Sequence, residues 1–459
     1  MAETDHRLEH DSMGAVAVPA AALWGAQTER ARQNFRLSGL TLPPRFIAAL
    51  ALVKWAAARA NAALGALEPG TAQAIERAAL AIAAGEHADA FPLDVYQTGS
   101  GTSTNMNLNE VIATLAGRAL GRAVHPNDEV NRSQSSNDCI PTAIHVASAL
   151  AVAREVDPAL AHLADTIGRR ERELASIVKT GRTHLMDALP LTLGQELSAW
   201  RTQLEDARAR LGAAMPRLLR LAQGATAIGT GLNAPAGFGA RVAAELAART
   251  GLHFVTHPNP FAALASQDAA VECSAALRGA AVALTKVAND LRWMNSGPLA
   301  GLGEIELPAL QPGSSIMPGK VNPVAAEAAL MAAAQVVGLD TAIAIAGQSG
   351  AFQLNVMLPL IAHDLDAEAT LVAGAARTLA DEAIAGFKVN AERLAGPLAR
   401  NPVLVTALNT LIGYEAGAAI AKEAYATGEP ILEVALRRTS LSRAELEQLL
   451  DPRRLTGAR

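Results

Sequence analysis

The chain has 459 residues and a formal net charge of −5. That length can bury a large core in two or three domains, and the charge supplies no general basic field, which argues against nucleic acid as the main partner. Half the residues are hydrophobic but only 3% are aromatic, and much of the apolar content is Ala and Leu, a mixture that favours close-packed long helices over sheets. The two cysteines, Cys139 and Cys273, cannot build a disulfide framework. The polar start, Met-Ala-Glu-Thr-Asp-His-Arg, lacks the pattern of a signal peptide, so a reducing cytoplasm is the expected location.

In chain order, residues 1–134 read as a mixed, mostly helical N-terminal domain. Residues 13–19 carry the alternation and turn residues of a short strand. Helices are expected over 44–66 and 71–84, followed by a polar, glycine-bearing stretch over 97–110. From 135 to 390 the helical period dominates, as a central helical-bundle domain. Leu160, Leu163, Ile167, Leu174 and Ile177 form one heptad-like seam, and Leu277, Ala280, Leu284, Val287 and Leu291 another. Helices this rich in Ala also suit packing against another copy of the chain. The most apolar long stretch, 328–347, is interrupted by Gln335 and Asp340 and reads as a buried core helix, not a membrane span. Residues 391–459 form a small C-terminal helical domain broken at Pro402 and Pro430. Ser442 with Glu445 has capping-box spacing ahead of a short helix, and the last nine residues are expected to fray.

The most informative segment is 313–323, Gly-Ser-Ser-Ile-Met-Pro-Gly-Lys-Val-Asn-Pro. It puts two hydroxyls, an ammonium and a carboxamide on a backbone bent by Gly and Pro. Asn322 reads as an N-cap and Pro323 as the first residue of the next helix. A polar loop that carries Lys320 and ends on a helix N-terminus is suited to an anion. Three more polar clusters interrupt the apolar chain: residues 99–107 (Gly-Ser-Gly-Thr-Ser-Thr-Asn-Met-Asn), 131–138 (Asn-Arg-Ser-Gln-Ser-Ser-Asn-Asp) and 181–187 (Gly-Arg-Thr-His-Leu-Met-Asp). Their hydroxyl, amide and imidazole groups donate hydrogen bonds to carboxylate oxygens without a large fixed charge. Each alone could be a helix cap or an Asx turn. Together with the Lys320 loop they suggest convergence on a small polyanion.

The order of these clusters resembles the fumarase/aspartase superfamily, in particular the class II fumarases, from about Met13 to the C-terminal helices. Segment 313–323 matches the superfamily signature. Gly181-Arg-Thr-His184 and Ser135-Ser136-Asn137 resemble the fumarase forms, and Arg122, His125, Pro126, Asn127 and Asp128 are similar to an accessory dicarboxylate site, for which a solvated loop is the competing reading. The resemblance implies a three-domain, mainly α fold whose long-helix bundle assembles into a tetrameric core. It implies active sites shared between subunits, no metal or organic cofactor, and reversible trans hydration of fumarate to (S)-malate; the charge and the interrupted apolar stretch already argue against a nucleic-acid or membrane partner.

The resemblance makes Ser314 the base at C3 and has His184, paired with Glu327, handle the water or hydroxyl. Removing a proton beside a carboxylate drives charge into that group, so a cation and hydrogen-bond donors are needed there. Lys320 and Asn322 fit that need. Ser100, Gly101, Thr102, Ser135, Ser136, Asn137, Thr183 and Val321, with Lys320 and Asn322, are expected around the substrate. His87, His145, His253 and His257 have no motif and read as surface or packing residues. Cys139 reads as a small packing residue beside the site. Met186 and the Leu299-Ala300 pair depart from the family pattern without touching the proposed acid and base. Two other readings compete: an aspartate ammonia-lyase on the same scaffold, which His184 argues against, and a catalytically silent relative, against which Ser314, Lys320 and His184 all stand.

Overall fold

The computed structural model describes residues 6–457. Residues 1–5, on which the location expectation partly rests, and 458–459 lie outside the described residues. The chain opens with an antiparallel hairpin of β1 (His6–Asp11) and β2 (Gly14–Pro19), His6 opposite Pro19 and Asp11 opposite Gly14. The extended segment expected at 13–19 is therefore one half of a hairpin, with Met13 in its turn.

Helices follow: α1 (Ala26–Asn34), α2 (Pro44–Ala63), α3 (Pro69–Ala83), α4 (Thr102–Leu120), α5 (Ser136–Ala151) and α6 (Asp157–Glu173). A second hairpin, β3 (Val178–Thr183) with β4 (Met186–Thr192), leads to α7 (Leu193–Leu218), α8 (Phe238–Thr250), α9 (Pro260–Ala265), α10 (Asp268–Met294), α11 (Val324–Gly347) and α12 (Leu358–Thr378). The C-terminal helices are α13 (Ala391–Arg400), α14 (Asn409–Ile412), α15 (Tyr414–Thr427), α16 (Ile431–Arg438) and α17 (Arg443–Leu449). The chain is mainly α, as its composition indicates.

Local chemistry explains several boundaries. α2 starts on Pro44 and α3 on Pro69, where the missing N–H costs nothing. The Glu68 carboxylate accepts from Gly70 N and Thr71 N at 2.8 Å each and so caps α3. Ser442 and Glu445 close the expected capping box on α17. Residues 451–457 do not fray as expected: a 3₁₀ turn, Arg454–Thr456, ends the described chain, and the Thr456 carbonyl accepts from Gln195 Nε2 at 2.8 Å.

The described chain resolves into two compact units. The first gathers the stretch ending at Pro158 with Ala207–Ala281 and Ala334–Ala373; the second gathers Ala159–Asp206, Val282–Ala333 and the stretch from Gly374. In the first, α2 is the hub, packed by α3, α4, α5 and α8. It buries Phe46, Leu50, Val53 and Trp55, each burial contributing about 1.5–3 kcal/mol. In the second, α13 packs on β3, and Leu404, Leu408, Ile420, Val434 and Leu446 form a C-terminal core.

Of the two expected seams, that of α10 is buried along its length. The other is buried at Leu160, Leu163, Ile167 and Leu174, but α6 ends at Glu173, so Leu174 and the half-buried Ile177 lie beyond the helix, where the chain turns toward β3. The apolar stretch 328–347 is helical but not buried in the single chain: only 28% of the most apolar window of α11 is covered. Ala326, Ala329, Ala333, Val336, Asp340, Ile343 and Ala346 line its covered stripe, whereas Met331, Val337 and Ile345 face outward. By length and hydropathy alone α11 could cross a membrane, as could α2 and the continuous helix Ser136–Glu173, whose windows are largely buried.

Candidate active site

The sequence clusters fall into two groups, one in each compact unit. In the first unit the N-termini of α4 and α5 meet. Gly99 and Gly101 permit this: a Cβ on Gly99 would lie 1.8 Å from the Val356 carbonyl oxygen, and one on Gly101 would press at 3.0 Å on Ile140 of α5. Gly101 also sits at φ +71 as the residue before α4. Ser100 and Thr102 share a hydrogen bond at 2.9 Å. Ser135 is the N-cap of α5: its hydroxyl accepts from Asn137 N at 3.2 Å while Asp138 accepts from Ser135 N at 3.0 Å. Ser136 and Asn137 open the helix, and Asn137 Nδ2 donates to the Ala227 carbonyl at 2.8 Å. Two helix N-termini edged with hydroxyls and an amide make a neutral donor surface suited to a carboxylate.

Asp138 is fully buried and accepts from Gly224 N at 3.0 Å and Thr226 N at 2.9 Å, which pins that loop to α5. Burial pushes its carboxyl up to about 6, against the pull of those N–H groups and of Lys54. Cys139 is more than a packing residue. Its thiol donates to Gln134 Oε1 at 3.2 Å and accepts from Lys54 Nζ at 3.6 Å, and burial pushes its pKa up to about 12.

In the second unit the β3–β4 hairpin carries Thr183 and His184 at its tip. The dominant helical period expected over 135–390 gave no sign of this hairpin. His184 (φ +55) and Leu185 (φ +63) make the two left-handed turn residues, a conformation costing about 1–2 kcal/mol per non-glycine residue. The base of the hairpin is braced by charge. Lys179, with no exposed surface, donates to Glu196 at 2.6 Å and Glu304 at 2.7 Å, and Arg182 pairs with the other oxygen of Glu304. Burial raises the Glu304 carboxyl, but Arg182 and Lys179 more than offset it and hold the group below the usual carboxylate range.

Segment 313–322 is a loop closed at its base. Gly313 N donates to the Lys320 carbonyl and Asn322 Nδ2 to the Gly313 carbonyl, both at 2.8 Å. The expected cap is thus corrected. The Asn322 amide ties the loop instead of capping, and α11 begins one residue later, with Pro323 accepting from Glu327 N at 3.1 Å. Ser314 Oγ accepts from Ile316 N at 3.2 Å and Met317 N at 3.0 Å. Lys320 and Val321 are exposed.

Not every expected residue is brought together. Among the described residues no hydrogen bond or ion pair joins His184 to Glu327 or either to Ser314. The hairpin tip is apolar and open, with Leu185 67% and Met186 69% exposed, and Leu299 is also exposed. In the accessory segment, Arg122 pairs with Glu129 at 2.9 Å and with the Thr71 hydroxyl. His125 Nδ1 accepts from Asp128 N at 3.0 Å. Arg122, His125 and Pro126 line a cavity of about 670 Å³ together with Arg7, His10 and Arg118. His145 is a packing residue: its Nδ1 lies 2.9 Å from the Arg220 carbonyl, and burial lowers its pKa to about 4.

The residue overlooked in the sequence lies beneath the first cluster: Lys54, which hydrogen-bonds Asn131 of the second polar stretch. The signal was a lone lysine in the apolar run Ala-Leu-Ala-Leu-Val-Lys-Trp-Ala-Ala-Ala, on a face of α2 that buries its neighbours.

Comparison with known proteins follows the same geometry. A family model described as lyase matches residues 14–338, and one described as fumarase C C-terminus matches 404–457. A class II fumarate hydratase of Xylella fastidiosa is 58% identical over 451 residues, 98% of this chain and 95% of that protein. A class II fumarate hydratase of Pseudomonas aeruginosa is 56% identical over 454 residues, 99% of each. The crystal structure of recombinant class II fumarase from Schistosoma mansoni superposes with a TM-score of 0.96 at 36% identity, covering 99% of both chains.

Proposed function

The chain belongs to the class II fumarases, a lyase family, and on that premise we propose that it catalyses the reversible, stereospecific trans addition of water to fumarate, giving (S)-malate. The observation that carries this reading is the near-full-length identity to class II fumarate hydratases. Ser314 takes the C3 proton of malate. The two N–H groups that donate to its oxygen favour the alkoxide, which a free serine cannot hold near neutral pH. The charge left at C3 spreads into the neighbouring carboxylate, where Lys320, Asn322 and the N-terminus of α11 stabilise it. His184, with Glu327, protonates the leaving hydroxyl or, in the other direction, activates water. Ser100, Gly101, Thr102, Ser135, Ser136, Asn137, Thr183 and Val321 complete the dicarboxylate site, and Arg122, His125, Pro126, Asn127 and Asp128 an accessory one.

The same reading makes the enzyme a homotetramer with sites shared between subunits. Three observations support it: the open apolar face of α11, the open apolar tip of the hairpin, and a His184 and Glu327 left without each other in one chain. It places the enzyme in the cytoplasm, in the tricarboxylic acid cycle, without a cofactor. It also retains the sequential division into residues 1–134, 135–390 and 391–459.

Purified protein is to be given fumarate with and without ammonium and the product identified. Malate in both cases is the expected result. Aspartate with no malate would overturn the assignment.

A further inference from the structure

The ammonium of Lys54 lies in the middle of α2 with no exposed surface; the buried Asp138 carboxylate draws on it through space, but among the described residues no carboxylate accepts a hydrogen bond from it. Its acceptors are all neutral: Asn131 Oδ1 at 2.9 Å, Gln134 Oε1 at 3.2 Å and Cys139 Sγ at 3.6 Å. Burying a cation this way is costly, and an apolar side chain of similar length would spare the fold that cost. The arrangement therefore calls for something that the lysine does and an apolar residue could not.

Lysine only donates toward an amide oxygen, so it dictates which end of Asn131 faces it. With the Asn131 oxygen turned inward, that oxygen also accepts from Asn105 Nδ2 and Asn109 Nδ2, each at 3.2 Å. Asn105 must then present its NH₂ in that direction, since the reverse orientation would set oxygen against oxygen. The same NH₂ donates to Ser136 Oγ at 3.0 Å. The far end of Asn105 shows the cost of this choice, because its Oδ1 is buried without a partner. Ser136 is thereby made an acceptor on its inner side, and its own proton must point outward, away from Asn105. The polarity runs in one direction from Lys54 through Asn131 and Asn105 to Ser136. It holds for either protonation state of the lysine, because a neutral amine would still donate to both amide oxygens.

We propose that Lys54 is a positioning residue that, through Asn131 and Asn105, aims the Ser136 hydroxyl proton at a substrate carboxylate. The proposal rests on the reading of Ser136 as a dicarboxylate contact. It adds a buried determinant of affinity that never touches substrate.

The test is a double-mutant cycle on the assembled enzyme, reading KM for fumarate, kcat and the dissociation constant of succinate, a dicarboxylate that cannot react. Ser136→Ala should raise KM and the succinate constant about tenfold, the usual effect of losing one hydrogen bond to a charged group. Lys54→Met should do the same with a smaller change in kcat. Lys54→Met added to Ser136→Ala should raise KM no further, because both remove one interaction. Should Lys54→Met fail to assemble, Asn105→Leu, which removes the donor to Ser136, is expected to reproduce the effect and the same non-additivity.

A Lys54→Met or Asn105→Leu enzyme with unchanged KM, or penalties that multiply in the double variant, would overturn the proposal. If wild-type protein turns over fumarate but Ser136→Ala leaves KM and succinate binding unaltered, the reading of Ser136 fails, and this inference with it. If wild-type protein binds succinate but leaves fumarate unchanged, the functional reading alone fails, and the cycle is read on succinate.

Discussion

A serine that accepts two backbone N–H bonds and lies in a loop with an exposed lysine has the surroundings an alkoxide needs. Ser314 has both, in a loop whose base is tied by Asn322. Ser314→Ala should abolish turnover while calorimetric succinate binding persists; full activity would remove the proposed base. His184→Asn should lower kcat by about two orders of magnitude, the scale of a lost general acid–base group, and a loss under about threefold would reduce it to a turn residue. At this scale the sequence was legible where side-chain chemistry is unusual for its setting: Ser314, Lys320 and the hydroxyl-rich clusters stand out from an apolar chain. It was not legible where a role depends on orientation. Nothing in the order of residues says that Asn322 would tie a loop instead of capping a helix, or that Lys54 would govern the direction of the Asn131 and Asn105 amides.

Hairpin β3–β4 shows what a structural element adds. Its turn holds His184 in a strained conformation, and the ion cluster at its base helps to resist relaxation. Glu304→Gln keeps the shape but leaves Arg182 and the buried Lys179 short of a counter-charge, a class of change that costs about 3–5 kcal/mol. We expect a lower thermal midpoint together with reduced kcat; unchanged values of both would show that the cluster does not support the turn. The hairpin escaped sequence reading because its two strands are short and lie between long helical runs.

Helix α12 carries a second buried charge problem. Glu368 has no exposed surface, and its Oε2 has no partner. The single proton of Ser274 is shared between Glu368 at 2.9 Å and Asp340 at 3.0 Å. Burial, with Asp340 and Asp364 nearby, pushes the Glu368 carboxyl up to about 9. Between the unfolded value of 4.5 and about 9 the folded state holds the extra proton, so stability falls as pH rises through that window. Glu368→Gln should flatten the decline of the thermal midpoint between pH 6 and 9 and raise it at the upper end. A decline as steep as in the wild type would show that another group is responsible.

At the scale of the whole molecule, no hydrogen bond or ion pair among the described residues of one chain joins His184, Glu327 and Ser314. The long helices were legible from Ala and Leu content and heptad spacing, and α10 buries its seam as expected. Apolarity misled at α11, because an apolar stretch records that a face needs cover without saying whether the cover comes from this chain or another. Met331, Val337 and Ile345 on its open side are where a second copy would pack. The double variant Met331→Asp, Ile345→Asp should sediment as a smaller species and lose activity, since carboxylates do not survive in a helix–helix seam. Retention of both the assembly and the activity would place the interface elsewhere.

The central claim is that base and imidazole meet only when copies of the chain come together. It is tested most directly by mixing two inactive proteins, Ser314→Ala and His184→Asn, dissociating and reassembling them at equal amounts, and assaying fumarate hydration. Sites that draw the two residues from different chains should recover about a quarter of wild-type activity in a random mixture, since one site in four then has both residues intact. A reassembled mixture as inactive as either parent would contradict the account.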